Sequence, residues 1–306
     1  MVIRLGLYLF VLSSPFYLLG VINRTKALWA GRKGAPLLQS FHEFRKLMRK
    51  GEVVSSSSSF VFQVAPTVNF AAVITAALIL PLPGHKAFLS FTGDFIFFSY
   101  VLALAKFFMV IAALDTGSSF EGMGAAREMT FSTLVEPAFF LMIGSLALLT
   151  GRTSFGEMFS SFGGVTGDAL LLKILLPALL AVMILTEGAR VPVDDPNTHL
   201  ELTMIHEVML LDHSGPDLAF MIYSSALKMV LLIVLGINFL FAQVMGGLAS
   251  LLILAGGVTV AGIGIGLIES WFARLRMSHI PQFILLMSAL AMAAFAIVIF
   301  YLHGGF

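Results

Sequence analysis

Residues 218–241 read LAFMIYSSALKMVLLIVLGINFLF, an apolar run that contains one charged side chain, Lys228. A helix needs about 20 mostly apolar residues to cross the hydrocarbon core of a bilayer. Seven other runs have a similar character, so the sequence predicts an all-α integral membrane protein with eight transmembrane helices. The spans are expected at residues 5–22, 60–82, 94–114, 131–150, 169–186, 218–241, 248–270 and 281–302.

The composition of the whole chain agrees with this prediction. Of its 306 residues 58% are hydrophobic and only 11% are charged, against about 25% charged in an ordinary soluble domain. A cytosolic enzyme is therefore excluded, and a net charge of +1 gives no reason to expect a nucleic-acid partner. The chain has no cysteine, which excludes disulfides and iron–sulfur clusters held by this chain. We predict no catalytic residue and no metal site in it.

Lys and Arg are distributed unevenly between the two sides that the spans define. The loops after spans 1, 3, 5 and 7 hold 12 of the 18 basic residues, whereas the opposite side holds only Arg4, Lys86 and Arg152. Basic residues concentrate in the cytoplasmic loops of membrane proteins. We therefore predict that the long loops are cytoplasmic and that both termini lie on the outer side.

Two long cytoplasmic loops interrupt what we interpret as a single membrane domain, residues 1–306. In the loop 23–59, apolar residues recur at helical spacing between basic ones over residues 36–50, which predicts an amphipathic helix at the membrane surface. This helix could be a simple anchor, or it could frame a docking surface or a lateral opening.

The loop 187–217 is acidic and carries three histidines. Pro196 and Gly215 are placed to begin and end a helix, and His199, His206 and His213 recur every seven residues within it. Their expected spacing of about 10 Å is too wide for one metal ion. They could be separate steps in a proton path, because histidine titrates near neutral pH, or ordinary surface residues.

Ionisable side chains within or at the ends of spans are the strongest functional candidates, because a charge at the bilayer centre costs at least about 2.5–3.5 kcal/mol. Lys106 and Lys228 lie near the middle of spans 3 and 6. Glu187 and Arg190, three residues apart at the end of span 5, are expected to pair. Together with other acidic residues, these side chains predict an ion-coupling path from the cytoplasmic face to the midplane. The set is Lys106, Glu136, Glu187, Arg190, Asp194, Glu201, Glu207, Lys228 and Glu269.

Four motifs resemble one family over nearly the whole chain. They are Arg32-Lys-Gly-Ala-Pro-Leu-Leu-Gln39 with Lys46, Gly124-Ala-Ala-Arg127 followed by Glu136, Glu187-x-x-Arg190-x-Pro-x-Asp194 with Glu201, and Ala273-Arg-Leu-Arg276. They resemble subunit 1 of respiratory complex I and its relatives in energy-converting nickel–iron hydrogenases. The resemblance implies that Arg32, Gln39, Lys46, Arg127, Arg274 and Arg276 line a docking surface or a quinone-like cavity.

The segment Leu114–Phe120 and the residues Asn197 and His199 are similar to the hydrogenase branch of that family, which includes formate-hydrogenlyase-type complexes. This branch implies partners: a hydrogenase large subunit, small iron–sulfur subunits and antiporter-like membrane subunits. The nickel–iron centre and the iron–sulfur clusters are then expected in those partners, and a bound quinone remains possible.

We therefore interpret the chain as the multi-pass membrane anchor and ion-coupling subunit of a hydrogenase-like oxidoreductase. It is expected in the inner membrane of a bacterium or archaeon, where it links cytoplasmic electron transfer to proton or sodium translocation. One alternative is the quinone-site subunit of a complex I-type NADH dehydrogenase. The other, a stand-alone cation transporter, is disfavoured because the chain shows no internal repeat.

Overall fold

The computed structural model describes residues 2–164, 170–195, 204–241 and 246–303. Within these residues the protein is all-helical, apart from an isolated bridge between Leu82 and His85. Ten α-helices are found in the described part of the chain. They are α1 (Val2–Trp29), α2 (Gln39–Leu47), α3 (Phe60–Ile79), α4 (Asp94–Asp115), α5 (Ser119–Thr150), α6 (Phe155–Gly163), α7 (Leu170–Glu187), α8 (Gly215–Phe241), α9 (Leu248–Trp271) and α10 (Ile280–Leu302).

Seven of the described helices are long and apolar enough to cross a membrane: α1, α3, α4, α5, α8, α9 and α10. The remaining predicted span, 169–186, coincides with α7, a helix of 18 residues that ends at Glu187. The described fold therefore supports seven candidate spans, one fewer than the sequence predicts.

Helix α8 lies at the centre of the bundle. It packs against α1, α3, α7 and α9, and residues from Leu227 to Leu235 along its middle are buried one after another. Around it, α3 pairs with α4, α5 with α10, and α1 with α9. A helix that is apolar all round is suited to such a central position. Lys228, in the middle of this helix, is therefore buried in the interior of the bundle.

Helix α5 is the clearest departure from the predicted spans. It begins at Ser119 rather than at 131, because Glu121, Arg127 and Glu128 continue the helix instead of forming a loop. Glu121 is fully buried and its Oε1 accepts the backbone N–H of Asp212 at 2.8 Å. Glu136 is consequently near the middle of a 32-residue helix, and not a turn or two from its end.

The helix predicted between Pro196 and Gly215 is also wrong over the residues that the structure describes. The segment 204–214 contains only a short 3₁₀ turn, Glu207–Leu210, and Gly215 begins α8 rather than ending a helix. Val208 and Met209 pack against Gly124 of α5, where an added Cβ would lie 2.2 Å from the Val208 side chain. This tertiary contact, together with the bond from Asp212 to α5, outweighs the local helix signals.

The connecting segments after α1, α4, α7 and α9 meet at one end of the bundle, which we call the loop face. The backbone N–H of Val53 donates to Ser214 at 2.9 Å, and Leu275 N–H donates to the Pro192 carbonyl at 2.9 Å. Helix α2 lies on this face, where Phe44 contacts Phe16 of α1 with ring centroids 5.4 Å apart.

Candidate functional site

Glu187, the last residue of α7, joins two lysines from different helices. Its carboxylate accepts hydrogen bonds from Lys106 Nζ of α4 and from Lys228 Nζ of α8, each at 2.9 Å. All three side chains are largely buried. The C-terminal end of a helix carries a partial negative charge, which adds to the charge of the Glu187 carboxylate. The two lysine ammonium groups offset both of these negative charges.

Three side chains on α5, Ser132, Glu128 and Glu136, complete the cluster around Lys106. Its ammonium donates to Ser132 at 2.7 Å and lies 3.5 Å from a Glu128 carboxylate oxygen. Glu136, two turns after Glu128 on α5, is exposed and lies close enough to Lys106 to interact with it electrostatically. The cluster thus holds three carboxylates, Glu128, Glu136 and Glu187, against two ammonium groups.

The cluster lies well below the loop face. Lys106 is nine residues from the end of α4 at Asp115, and Lys228 is 13 residues from the start of α8 at Gly215. At 1.5 Å per residue these separations correspond to about 14 and 20 Å. Charged groups at this depth are usually buried against one another and functional.

Asp194 forms a second polar centre, closer to the loop face. One carboxylate oxygen is 2.8 Å from Arg274 Nη2 and accepts the Asp195 N–H at 2.9 Å. The other oxygen accepts the backbone N–H groups of Ile205 and His206, both at 3.2 Å. Asp194 therefore ties the chain after α7 to the segment 204–214 and to the segment after α9.

Glu269 forms the third centre, and it corrects the predicted pairing of Glu187 with Arg190. The fully buried Glu269 carboxylate lies 2.7 Å from Lys26 Nζ and 3.3 Å from Arg190 Nη1. Because α7 ends at Glu187 and Ala189 has a positive φ of 50°, Arg190 departs from the helix path and turns toward α9 instead.

Three cavities are lined by these groups, and we call them together the polar route. A cavity of about 870 Å³ at the loop face is lined by Arg190, Asp194, His206 and Glu207 among others. A second, of about 300 Å³, shares Asp194 with the first and is also lined by Glu128 and Glu187.

The third cavity, of about 640 Å³, shares Glu187 with the second and reaches Lys106, Lys228 and Glu136. Its lining also includes the exposed Tyr100 of α4 and Phe140 of α5. Neighbouring cavities of the polar route therefore share a lining carboxylate, Asp194 for the first two and Glu187 for the last two.

The residues predicted for docking are found in three different settings. Arg127 donates to the Met204 carbonyl at 2.9 Å and Arg274 binds Asp194, so both brace the interior of the loop face. Gln39 donates to Glu43 on α2 at 2.9 Å. The others, Arg32, Lys46 and Arg276, are exposed at the loop face.

Glu201 and His199 lie outside the described residues. Among the residues that the structure describes, no group of three or more His, Asp or Glu side chains is arranged to hold a metal ion.

Three contributors were not singled out by the sequence analysis: Glu128, Ser132 and Lys26. Glu128, Ser132 and Glu136 are spaced four residues apart and therefore share one face of a helix. This spacing could have identified the cluster, had α5 been expected to begin before 131. The partnership of Lys26 with Glu269 joins residues far apart in sequence and leaves no local signal.

The two described histidines of the loop 187–217 occupy different settings. His206 lines the loop-face cavity, its Nε2 lies 2.6 Å from the Ser225 hydroxyl, and burial lowers its pKa. His213 is 3% exposed and stacks on Phe62 with ring centroids 4.0 Å apart. Neither ring nitrogen of His213 has a hydrogen-bond partner. Burial lowers the pKa of His213 to about 4, against a smaller opposing effect of Glu52.

This environment predicts a specific loss of stability in acid. The unfolded chain protonates His213 near its ordinary pKa of 6.5, whereas the folded protein resists protonation until about pH 4. Stability should therefore fall between pH 6.5 and 4, by about 3 kcal/mol if each pKa unit is worth about 1.4 kcal/mol. Thermal unfolding of purified protein across this range measures the loss.

A His213→Phe variant keeps the ring stack on Phe62 and removes the titrating group. It should show a flatter pH profile over this window, whereas His303→Phe, at an exposed position, should keep the wild-type profile. An unchanged pH dependence in His213→Phe would show that His213 is not the group responsible.

Comparison with known proteins places this geometry in context. The sequence matches the family model for NADH dehydrogenase over residues 3–301. It is 32% identical over 213 residues to hydrogenase-4 component C of Escherichia coli, a match covering 70% of this chain and 66% of that protein, just under two thirds. It is 29% identical over 270 residues to formate hydrogenlyase subunit 4 of the same organism, covering 86% and 87% of the two chains.

The fold has a solved counterpart. A chain in the membrane-bound sulfane sulfur reductase, an archaeal respiratory membrane complex, superposes with a TM-score of 0.78 at 16% identity. The match covers 96% of this chain and 97% of that one. Together with the apolar helices, these comparisons establish an integral membrane protein and confirm the resemblance stated from the motifs.

Proposed function

The chain belongs to the NADH dehydrogenase family, and from that membership we propose that it is the membrane anchor and ion-coupling subunit of a multisubunit, hydrogenase-like oxidoreductase. It links electron transfer in docked redox subunits to the translocation of protons or sodium ions. The observation that supports this proposal is the polar route, three cavities that are lined in order by Asp194 near the loop face, by Glu187 and by Glu136, with neighbouring cavities sharing a lining carboxylate.

The topology follows from the charge distribution. We propose that α7 is the eighth span, since its 18 residues fall within the range of about 17–25 that can cross the hydrocarbon core. The loop face is then cytoplasmic because it carries most of the Lys and Arg residues, and both termini lie on the outer side. The membrane is the inner membrane of a bacterium or archaeon.

The partners follow from the proteins that this chain is similar to. A hydrogenase large subunit and small iron–sulfur subunits dock on the loop face, where Arg32, Lys46 and Arg276 are exposed. Those subunits hold the nickel–iron centre and the clusters, since this chain has no cysteine to bind them. Antiporter-like membrane subunits cover the mouth of the polar route at Glu136.

The coupling step is electrostatic. A change of charge in a redox subunit docked on the loop face would change the electrostatic field at Asp194, which Arg274 and two backbone N–H groups hold in place. Glu187 is poised between two ammonium groups and can exchange one partner for the other. Carboxylates outnumber ammonium groups in this cluster, so the cluster attracts a cation. The cation enters from the loop face, binds at Glu187 and is passed on to Glu136.

A second candidate, the quinone-site subunit of a complex I-type dehydrogenase, is favoured by a separate cavity. About 460 Å³ of space lies between α1, α2 and α8, with Phe16, Phe44 and Tyr223 along its wall. This cavity shares Leu19 and Glu43 with the loop-face cavity. Its aromatic wall fits a planar quinone head, and a quinone analogue should inhibit the complex if one binds there.

Isolation of the complex in mild detergent from native membranes tests the proposal, with mass spectrometry and metal analysis as readouts. Nickel with a hydrogenase large subunit is the expected result. Flavin and NADH-oxidising subunits without nickel would favour the second candidate. A chain isolated without partners, together with ion flux in liposomes, would contradict both and support a stand-alone transporter.

A further inference from the structure

His206 lines the loop-face cavity and is fixed by two hydrogen bonds to different parts of the fold. Its ring nitrogen Nε2 lies 2.6 Å from the Ser225 hydroxyl of α8, and its backbone N–H donates to Asp194 at 3.2 Å. Ser225 lines the same cavity and precedes Lys228 by three residues, about one helical turn. The imidazole is therefore anchored on α8 about one turn from the cluster around Lys106.

The hydrogen bonds of Ser225 indicate which ring nitrogen carries the proton. The Ser225 hydroxyl has one hydrogen, which it donates to the Met221 carbonyl at 3.1 Å. The hydroxyl oxygen then accepts from Nε2–H of His206. In a neutral imidazole the other nitrogen, Nδ1, is an acceptor, and it has no hydrogen bond within the described part of the chain. His206 can therefore gain a proton at Nδ1 without losing its bond to Ser225.

The charges that act on His206 come from four elements. They are Lys106 on α4, Glu128 on α5, Lys228 on α8 and Asp194 after α7. Burial is the largest influence and lowers the pKa of His206, whereas Glu128 and Asp194 raise it and the two lysines lower it further. Glu128 has the largest effect of the four charges. The ring is therefore neutral in the resting protein and gives up an added proton readily, with Glu128 as the carboxylate that attracts it most.

Asp194, which lines both of the first two cavities, is poorly suited to take up a proton itself. Its two oxygens already face four donors: Arg274 Nη2 and the backbone N–H groups of Asp195, Ile205 and His206. A carboxylate has about four lone-pair sites, so a proton would have to displace one of these donors. His206, whose Nδ1 is available, offers the easier entry.

We propose that His206 is a proton-relay residue that carries protons from the loop-face cavity to Glu128. This role rests on the proposed function and specifies the translocated ion, because an imidazole relays protons and not sodium ions. A hydronium ion in the loop-face cavity transfers its proton to Nδ1, and the resulting imidazolium keeps its bond to Ser225. The Nδ1–H bond then breaks, the proton joins a Glu128 carboxylate oxygen, and the neutral ring is restored. Glu128 shares Lys106 with Glu187, so the proton has then reached the cluster.

Proton uptake by the assembled complex tests this role. The complex is placed in vesicles with the loop face outward, its redox reaction is started, and a pH-sensitive dye reports uptake from the outer medium. We expect His206→Ala to slow proton uptake about 100-fold, the lower end of what one positioned acid–base group contributes. Imidazole added to the medium should restore much of the rate, because it can enter the cavity at the loop face and carry the proton in place of the lost ring.

Two further variants separate a relay from a structural role. His206→Gln keeps a donor for Ser225 but cannot carry a proton, so proton uptake should fall while thermal stability stays close to that of the wild type. His42→Ala, at an exposed position of α2 on the loop face, should keep the wild-type rate with or without imidazole.

Failure of the relay can be distinguished from failure of the proposed function. Wild-type uptake in both His206 variants, or a loss in His206→Ala that imidazole does not reduce, would overturn the relay and leave the proposed function intact. Sodium uptake without proton uptake in the wild-type complex would do the same. A wild-type complex that translocates neither ion would contradict the proposed function itself, and the relay with it.

Discussion

Replacing Glu187 with glutamine is expected to reduce ion translocation to background. The variant removes the carboxylate that holds both Lys106 and Lys228 at 2.9 Å, and it leaves Lys228 as a buried cation without its carboxylate partner. Breaking a buried ion pair in this way costs about 3–5 kcal/mol of stability. Ion uptake into vesicles that contain the assembled complex, driven by its redox reaction, measures the functional loss.

Two further variants distinguish lost coupling from lost folding. Glu187→Gln combined with Lys228→Met removes the orphaned cation, so thermal stability should largely recover while translocation stays at background. Glu157→Gln makes the same chemical change at an exposed surface pair with Arg152 and should be silent. Wild-type translocation in Glu187→Gln would contradict the role given to this residue.

Replacing Gly124 with leucine is expected to separate the segment 204–214 from α5. A Cβ at this position would lie 2.2 Å from the Val208 side chain and 3.0 Å from the Ile205 carbonyl oxygen. Overpacking of this kind costs about 3 kcal/mol, and here it also strains the bonds from Ile205 and His206 to Asp194. Thermal stability and recovery of the assembled complex should both fall.

Gly122 provides the matched control for this substitution. It lies two residues earlier in the same helix and has open space where a Cβ would be. Gly122→Leu carries the same gain in helix propensity without the clash, so it should be more stable than the wild type by about 0.5–1 kcal/mol. Similar losses in the two variants would mean that a general property of α5, rather than the contact with Val208, is responsible.

The membrane-spanning character of the fold could be predicted because apolar run length reports it directly. The exception among the spans is instructive. The start of α5 was misplaced because Glu121, Arg127 and Glu128 look like loop residues, yet each is satisfied by tertiary partners such as Asp212 N–H, the Met204 carbonyl and Lys106. Hydropathy alone cannot distinguish a polar loop from a polar stretch of helix whose charges are paired.

The sequence predicted individual residues of the candidate site but not how they come together. Lys106, Lys228 and Glu187 could each be selected because ionisable residues are rare in spans. Their convergence could not be foreseen, since the contacts join residues 81 and 41 positions apart. The expected pairing of Glu187 with Arg190 failed because it assumed that the helix continues past Glu187.

The central claim is that an open polar route connects the loop face to Lys106, and cysteine accessibility tests it most directly. The chain has no native cysteine, so a single introduced thiol has no background. Ser132 lines the second cavity and lies 2.7 Å from Lys106, whereas Ser145 on the same helix is fully buried and lines none of the cavities of the polar route.

In sealed vesicles, a small membrane-impermeant thiol reagent added at the loop face should label Ser132→Cys and leave Ser145→Cys unlabelled. The ammonium of Lys106 favours the reactive thiolate at position 132 and should speed the labelling. A Ser132→Cys thiol that stays unreactive from the loop face, or that reacts only from the opposite side, would contradict the polar route and the coupling mechanism built on it.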